Sequence, residues 1–256
     1  MSAAASLGGW IAAALVATMA VVVWRACGNR MEAVARACHE LRGPITAARL
    51  GLSLGCRGGE LSPARLRALD TELGRASLAL DDLAQTRGAR PRVPELERVD
   101  LELLVADSVE AWRGGAAAAG VALSMSWSGG PRVIWGDRLR LAQATGNLIA
   151  NAIEHGGRLV QVCVDGRAGI TRIEILDDGP GLDAPLGELT RRARRGRGLR
   201  GRGLAIAGDV AAAHGGRLAA APCQCGARLV LELPCPGPGR WSACAPGSVG
   251  RSGRKA

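Results

Sequence analysis

Several short stretches of this 256-residue chain combine residue types that could handle a phosphorylated ligand. A glycine-rich run over residues 196–203 precedes an apolar pattern that predicts a helix from about Leu204. Glycines allow sharp turns and a close approach of the backbone to a ligand. The N-terminus of the following helix presents free N–H groups and the positive end of its dipole. This arrangement is typical of a phosphate-binding loop, although a flexible linker has the same composition.

Asn147 and Asn151 lie four residues apart in a predicted amphipathic helix over residues 138–155, which puts both side chains on one face. Amide oxygens are neutral, hard ligands that suit a Mg²⁺ ion whose other ligands are water and phosphate oxygens. Taken alone, the pair is more typical of two solvent-facing amides on such a helix.

The run DDGPGL over residues 177–182 follows two predicted strands at residues 159–164 and 171–176. It places the carboxylate of Asp177 next to Gly179 and Gly181, where the backbone can pass close to a ligand. The same dipeptides are common in ordinary hairpin turns, so this run by itself leaves both interpretations open.

His39 and Glu40 form a possible pair of nucleophile and proton acceptor within a helical pattern over residues 31–52. Glu40 can orient the imidazole or take its proton. Pro44 removes a hydrogen bond from the same helix and bends it just after the histidine. The alternative is a partly exposed surface histidine.

Two apolar heptad patterns, at residues 31–52 and 66–83, surround a break at residues 55–59. Ser62 and Pro63 are typical of the N-cap and first residue of the second helix. The two helices predict an antiparallel hairpin. Since each buries little apolar surface alone, we expect a homodimer that forms a four-helix bundle.

Residues 7–24 contain no charged side chain, and 18 residues of helix reach about 27 Å, enough to span a bilayer. Arg25 and Arg30 follow this segment and predict that the body of the chain lies in the cytoplasm. A cleaved signal peptide lacks support because no positive segment precedes the apolar run and no small-residue cleavage site follows. A buried core helix is the other alternative.

The net charge of +10 raises the question of nucleic acid as a partner. The arginines cluster locally and do not form one stripe with interleaved aromatics, so we expect no direct binding of nucleic acid. The eight cysteines are scattered without the spacing of a zinc site, and we expect reduced thiols. The tail over residues 235–256 has the composition of a disordered segment.

The sequence resembles the two-component sensor histidine kinases, with a HisKA-type dimerisation hairpin and an HATPase_c (GHKL) ATP-binding domain. HELRGPI at residues 39–45 resembles the phosphoacceptor box of that family. NLIANAIEHG at residues 147–156 resembles its N box, DDGPGL its G1 box, and residues 201–204 its G2 box. The four boxes occur in the family's order and together span residues 31–234.

The resemblance implies that His39 is phosphorylated with help from Glu40, and that the phosphoryl group passes to an aspartate of a response regulator receiver domain. It implies ATP and Mg²⁺ as cofactors, with Asn151 as a metal ligand and Asp177 accepting a hydrogen bond from the adenine amino group. The implied ATP-binding residues are Asn147, Asn151, Asp177, Gly179, Gly181, Gly201, Gly203 and Leu204.

The implied fold class is α+β, with a transmembrane helix, the hairpin and a Bergerat-type α/β sandwich. The expected divisions are a membrane anchor (1–27), the hairpin (28–88), a linker (89–94), the ATP-binding domain (95–234) and a basic tail (235–256). We expect a single-pass protein of the bacterial cytoplasmic membrane with its kinase body in the cytoplasm.

The sequence departs from the family pattern at three places. Gly43 replaces the usual Thr or Asn, which predicts weak phosphatase activity, and Glu154 replaces a usual basic residue, whose charge nearby arginines could supply. The lid over residues 183–200 is short. These departures keep open a degenerate kinase that acts as a nucleotide-binding regulatory partner of another kinase. A serine kinase of the same ATPase superfamily is a further alternative, but such proteins lack a histidine-bearing hairpin.

Overall fold

The computed structural model describes residues 10, 15–25, 28, 34, 37, 41, 44–46, 48, 52, 62–85, 93–129, 133–167, 169–194 and 202–235. Residues 15–25 are helical and exposed. Within these described residues, no helix is long and apolar enough to cross a bilayer. The predicted first helix of the hairpin lies mostly outside the described residues, and so do residues 86–92 of the linker region and residues 236–256 of the tail.

Helix α1 (Pro63–Gln85) begins where the sequence predicts. The hydroxyl of Ser62 accepts a hydrogen bond from the backbone N–H of Arg65 at 3.3 Å, which confirms Ser62 as the cap. Three leucines of the predicted apolar seam are exposed: Leu66 is 52%, Leu73 62% and Leu80 54% accessible, while Leu69 and Ala76 are half-buried. These three leucines therefore face away from the rest of the described chain.

The opposite face of α1 packs against two helices of the following domain, α2 (Leu101–Ala118) and α3 (Arg138–His155). Arg140 on α3 makes a two-pronged ion pair with Asp82, at 2.6 and 2.7 Å. Asp107 on α2 is only 2% exposed and lies 3.3 Å from Arg67 and 3.7 Å from Arg138. Burial raises the pKa of the Asp107 carboxyl, and the two guanidinium groups partly oppose that rise.

The remaining elements are a mixture of strands and helices. Two strands end on an aspartate that caps the next helix: Asp100 accepts from the N–H of Leu103, and Asp137 accepts from that of Arg140, each at 3.1 Å. The elements are β1 (Leu96–Asp100), β2 (Ala122–Trp127), β3 (Val133–Asp137), β4 (Leu159–Arg167), β5 (Ile170–Asp177), α4 (Leu186–Arg194), α5 (Arg202–Ala213), β6 (Arg217–Ala220) and β7 (Arg228–Pro234).

The strands form two sheets. β1 and β3 pair antiparallel, and the larger sheet has the order β2-β4-β5-β7-β6, in which β2 and β4 are parallel and the other pairs antiparallel. Along β5, exposed residues alternate with buried ones such as Ile173 and Ile175, so one face of the sheet is covered. Helices α2, α3 and α5 join that face in a single core. This part of the chain is therefore an α/β sandwich, as expected.

Five elements differ from the sequence-based expectation. Strands β2, β3 and β6 were not expected. Helix α4 forms inside the segment expected to be the lid, and α5 starts two residues earlier than Leu204. In α4, three arginines follow Glu188 and complement the C-terminal end of the helix dipole.

Candidate functional site

An open cleft of about 350 Å³ lies where the end of α3, the end of β5 and the start of α5 meet. Its lining combines polar groups with three leucines and is made up of Asn151, Glu154, His155, Asp177, Pro180, Gly181, Leu182, Asp183, Leu189, Leu204 and Ala227. Of the residues predicted from the sequence, Asn151, Asp177, Gly181 and Leu204 line this cleft directly.

Asp177 ends β5 and is held through one carboxylate oxygen. Its Oδ1 accepts from the N–H of Gly179 at 3.0 Å and from that of Ala227 at 3.2 Å. The N–H of Asp177 in turn donates to the carbonyl of Ala227 at 3.0 Å. Because the described contacts of the carboxylate use only Oδ1, Oδ2 remains an acceptor for a ligand in the cleft.

Three glycines allow the backbone to pack directly around Asp177. A Cβ at Gly156, just after α3, would lie 2.8 Å from the Cβ of Asp177, and one at Gly179 would lie 2.6 Å from the Cα of Gly156. Gly226 has a φ of +69°, and a Cβ there would lie 1.8 Å from the carbonyl oxygen of Asp177. Neither Gly156 nor Gly226 was predicted from the sequence to contact Asp177; for Gly156, the Gly156-Gly157 pair at the end of the predicted helix was the available signal.

The neighbouring carboxylate, Asp178, points back into the sheet. Its Oδ1 accepts from the N–H of Leu159 at 2.8 Å, and this bond lowers the pKa of the carboxyl below its ordinary value. The two adjacent aspartates therefore have different tasks, since Asp177 faces the cleft and Asp178 fastens the turn to β4.

The two asparagines of α3 have different surroundings. Asn151 lines the cleft. The Oδ1 of Asn147, one turn earlier, accepts from Nη2 of Arg75 on α1 at 3.1 Å. The Nδ2 of Asn147 is buried and finds no hydrogen-bond partner within the described part of the chain.

The N-terminus of α5 lies against Asn147. A Cβ at Gly203 would be 3.3 Å from the Cβ of Asn147, so glycine permits this close approach. Leu204 is buried beside the cleft. Arg202 is 6% exposed, and its Nε and Nη1 have no partner among the residues that the structure describes. Gly201, His39 and Glu40 lie outside the described residues.

His214 ties the end of α5 to the start of α3. Its Nε2 accepts from the N–H of Asp137 at 3.0 Å, and its Nδ1 lies 2.8 Å from the carbonyl of Val210. The imidazole therefore carries its proton on Nδ1. A Cβ at Gly136 would meet the ring at 2.7 Å. The two helices that border the cleft are thus held together at their far ends.

The cleft suits a ligand with a hydrogen-bond donor at one end and an anionic group at the other. Oδ2 of Asp177 accepts at the first end. The N-terminus of α5 favours negative charge at the second, where the amides of the asparagines also lie. Two arginines of α4 are already engaged, since Arg192 pairs with Glu188 and Arg194 with Asp209.

Comparison with known proteins agrees with this geometry. Residues 136–237 match the family described as histidine kinase-, DNA gyrase B- and HSP90-like ATPases (HATPase_c). The signal transduction histidine-protein kinase BaeS of Escherichia coli strain K12 is 31% identical over 221 residues, which are 80% of this chain and 47% of that protein. The probable sensor histidine kinase TcrY of Mycobacterium tuberculosis strain H37Rv is 33% identical over 222 residues, 80% of this chain and 46% of TcrY.

Among solved structures, the ATP-binding domain of PrrB from Mycobacterium tuberculosis is 32% identical. The match covers 55% of this chain and 98% of that domain, with a TM-score of 0.43. The chain spans about half the length of the curated relatives that it matches.

The region that matches the ATPase family contains every described residue of the candidate site except Arg75, from Asn147 on α3 to Gly226 before β7. Residues 136–237 therefore belong to the family of histidine kinase-, DNA gyrase B- and HSP90-like ATPases, and four fifths of the chain is homologous to sensor histidine kinases.

Proposed function

We propose that this protein is a membrane-anchored sensor histidine kinase that autophosphorylates on His39 from Mg²⁺-ATP and passes the phosphoryl group to an aspartate of a response regulator. The observation that carries the proposal is the cleft in which Asp177 is held through one oxygen and leaves the other for a ligand. Homology to sensor histidine kinases over four fifths of the chain supports the same activity and does not favour a degenerate, purely regulatory protein.

In this proposal the adenine lies against Asp177, whose Oδ2 accepts from the amino group of the base. Gly179 and Gly181 let the backbone pass close to the ring, and Gly181 already has a φ of +83°. The phosphates lie towards Gly201, Gly203 and Leu204 at the N-terminus of α5, where N–H groups and the helix dipole favour negative charge.

The residues present also fit Mg²⁺. The amide oxygen of Asn151 in the cleft is a hard, neutral donor, and such an ion takes its remaining ligands from phosphate oxygens and water. When bound, the ion neutralises charge on the phosphates and so lowers the barrier to nucleophilic attack.

The transfer step needs His39 in line with the γ-phosphorus. A ring nitrogen of His39 forms the N–P bond while the bond from phosphorus to the bridging oxygen breaks, and ADP leaves with that electron pair. Glu40 takes the proton that the imidazole loses. In the second step the N–P bond breaks as the phosphoryl group moves to the aspartate carboxylate of the receiver domain, and Glu40 returns the proton, so that the imidazole leaves as a neutral ring.

We propose a homodimer that is anchored to the membrane through residues 7–24. Its hairpin begins at residue 28, its linker at residue 89, its ATP-binding domain at residue 95 and its tail at residue 235. The exposed leucines of α1 support the dimer, because a second hairpin would remove their apolar surface from water. The helix that carries His39 and the ATP-binding domain must also be joined by a linker, and we assign this linker to residues 89–94.

The test uses the full chain in detergent micelles with γ-labelled ATP and Mg²⁺, alongside His39→Gln and Asn151→Ala. We expect acid-labile, base-stable label on the parent chain and none on either variant. Nucleotide binding without label on the parent would overturn the kinase activity in favour of the regulatory protein. Label that survives His39→Gln would assign the acceptor to another residue.

A further inference from the structure

The amide of Asn147 is oriented by a residue from outside the ATPase domain. Nη2 of Arg75, on α1, lies 3.1 Å from Oδ1 of Asn147. A guanidinium group has only donors, so the atom that faces it must be the amide oxygen. The NH₂ group of Asn147 therefore points the other way, and it is buried there without an acceptor in the described chain.

Arg75 is itself held in place. Its Nη1 lies 2.7 Å from both carboxylate oxygens of Glu72, and the two side chains are 3% and 1% exposed. A Cβ at Gly146 would lie 2.2 Å from Nη1, so only glycine at that position leaves room for the guanidinium. The orientation of the amide thus follows from a buried, neutralised ion pair and not from a mobile surface arginine.

Buried donors next to the N-terminus of α5 lack acceptors. One of these donors is Nδ2 of Asn147, and two others are Nε and Nη1 of Arg202. Arg202 directly precedes Gly203, which packs against Asn147. A buried donor without an acceptor is energetically unfavourable, so this group of donors favours a ligand with acceptor oxygens. Arg202 adds a positive charge with no ion-pair partner in the part of the chain described, and this favours an anionic ligand.

We propose that Arg75 is a positioning residue for nucleotide binding: by holding Oδ1 of Asn147, it directs Nδ2 towards an oxygen of the bound phosphates. This inference rests on the proposed function, because it takes ATP as the ligand of the cleft. It makes phosphate recognition depend on helix α1 being docked against α3, while recognition of the base at Asp177 does not depend on α1.

The test compares the affinities of the full chain for ATP and for adenosine, which lacks phosphates, by titration calorimetry. The variant is the double substitution Glu72→Leu with Arg75→Met, since removing both members of a buried ion pair leaves no unpaired charge. We expect ATP to bind about tenfold more weakly, because one charge-assisted hydrogen bond to the phosphates is lost. The affinity for adenosine should be unchanged. A purely structural role would weaken both ligands alike.

The matched control is Asp82→Leu with Arg140→Met, which removes another ion pair between α1 and α3 without touching Asn147. It should leave the ratio of the ATP and adenosine affinities at the parent value. Gly146→Ala provides a second route, because its Cβ displaces the guanidinium in a chain that retains every charge. In an Asn147→Ala background, the Glu72/Arg75 substitution should not change the ratio further.

An unchanged ATP affinity in both the double variant and Gly146→Ala would overturn the inference, and so would equal losses for ATP and adenosine. Failure of the unmodified chain to bind ATP would overturn the proposed function itself. The two failures are distinguishable because the second is measured before any substitution is made.

Discussion

At the scale of single residues, the carboxylate of Asp177 has two separate tasks. One oxygen closes the turn by accepting from the N–H groups of Gly179 and Ala227, and we propose that the other accepts from a ligand of the cleft, which Asp177 lines. The two tasks can be separated by a substitution that changes the second oxygen alone.

Asp177→Asn is that substitution. Its Oδ1 can still accept from the two backbone N–H groups, while the NH₂ group replaces the acceptor that would meet the adenine amino group. We expect at least about tenfold weaker ATP binding by calorimetry, because two donors then face each other, with little change in melting temperature. Asp178→Asn is the control, since that side chain bonds back to Leu159. Parent-like ATP affinity in Asp177→Asn would contradict the assignment of the adenine to this residue.

The residues that line the cleft could be predicted from the sequence, but the residues that contact them could not. Asn151, Asp177 and Leu204 line one cleft, as the three motifs indicate. The hydrogen bond between Arg75 and Asn147 joins residues 72 positions apart, and no local sequence pattern predicts such a contact. Gly226 is also invisible in the sequence, because its closeness to Asp177 follows from the pairing of β5 with β7.

At the scale of elements, Glu232 links three neighbouring strands. From β7 it accepts from Arg172 on β5 at 2.9 Å and from Arg217 on β6. The hydrogen bond from Arg217 is the main reason why the pKa of the Glu232 carboxyl lies below its ordinary value of 4.5. A carboxyl with a lowered pKa in the folded state stabilises the fold above its ordinary pKa, and this contribution is lost as the pH falls through the lowered value.

Glu232→Gln should therefore lower the free energy of unfolding near neutral pH, by at most about 1 kcal/mol for a pair at the surface. The difference from the parent should shrink as the pH falls below 4.5 and vanish once the parent carboxyl is protonated. Urea titrations at a series of pH values measure it. A difference that stays constant down to pH values where both chains are neutral at this position would contradict the pKa argument.

The elements themselves could be predicted where periodicity and caps agree. Asp137 followed by a 3.6-residue apolar period predicts α3, and the apolar runs after residue 159 predict β4 and β5. Strand β2 was not predicted because exposed side chains such as Ser124 and Ser126 alternate with only half-buried ones such as Leu123 and Met125 at an edge of the sheet, which leaves a weak apolar signal. Helix α4 was not predicted because it contains many arginines and only two buried positions, Leu189 and Ala193, which give too weak an apolar pattern.

At the scale of the whole molecule, helix α1 is both a candidate dimer element and a neighbour of the ATPase domain. Three leucines of its seam are exposed, and its other face is buried against α2 and α3. The heptad pattern predicts the first face. The second face, with the buried pair Glu72 and Arg75, could not be predicted, because charged residues at such positions are usually solvent-exposed.

The ion pair between Asp82 and Arg140 allows this docking to be tested by exchange of charges. Asp82→Arg places two cations opposite each other and should lower the amide protection of α1 in hydrogen exchange by about tenfold, equivalent to roughly 1.4 kcal/mol. Adding Arg140→Asp should restore most of the protection, because the pair is re-formed in the opposite sense. Unchanged protection in the single variant would mean that this pair does not hold α1.

The environment of Asp107 bears on how the chain can be divided into fragments. One of the two cations that face this buried carboxylate, Arg67, belongs to α1, while the other, Arg138, belongs to α3. A fragment cut at residue 95 would keep the carboxylate and lose Arg67, one of the two cations that lower the pKa of Asp107. A fragment that begins at Ser62 keeps both cations, together with the hydrogen bond that caps α1. For protein production, the natural cut in this molecule therefore lies in front of α1, one helix earlier than the motifs of the ATPase domain indicate.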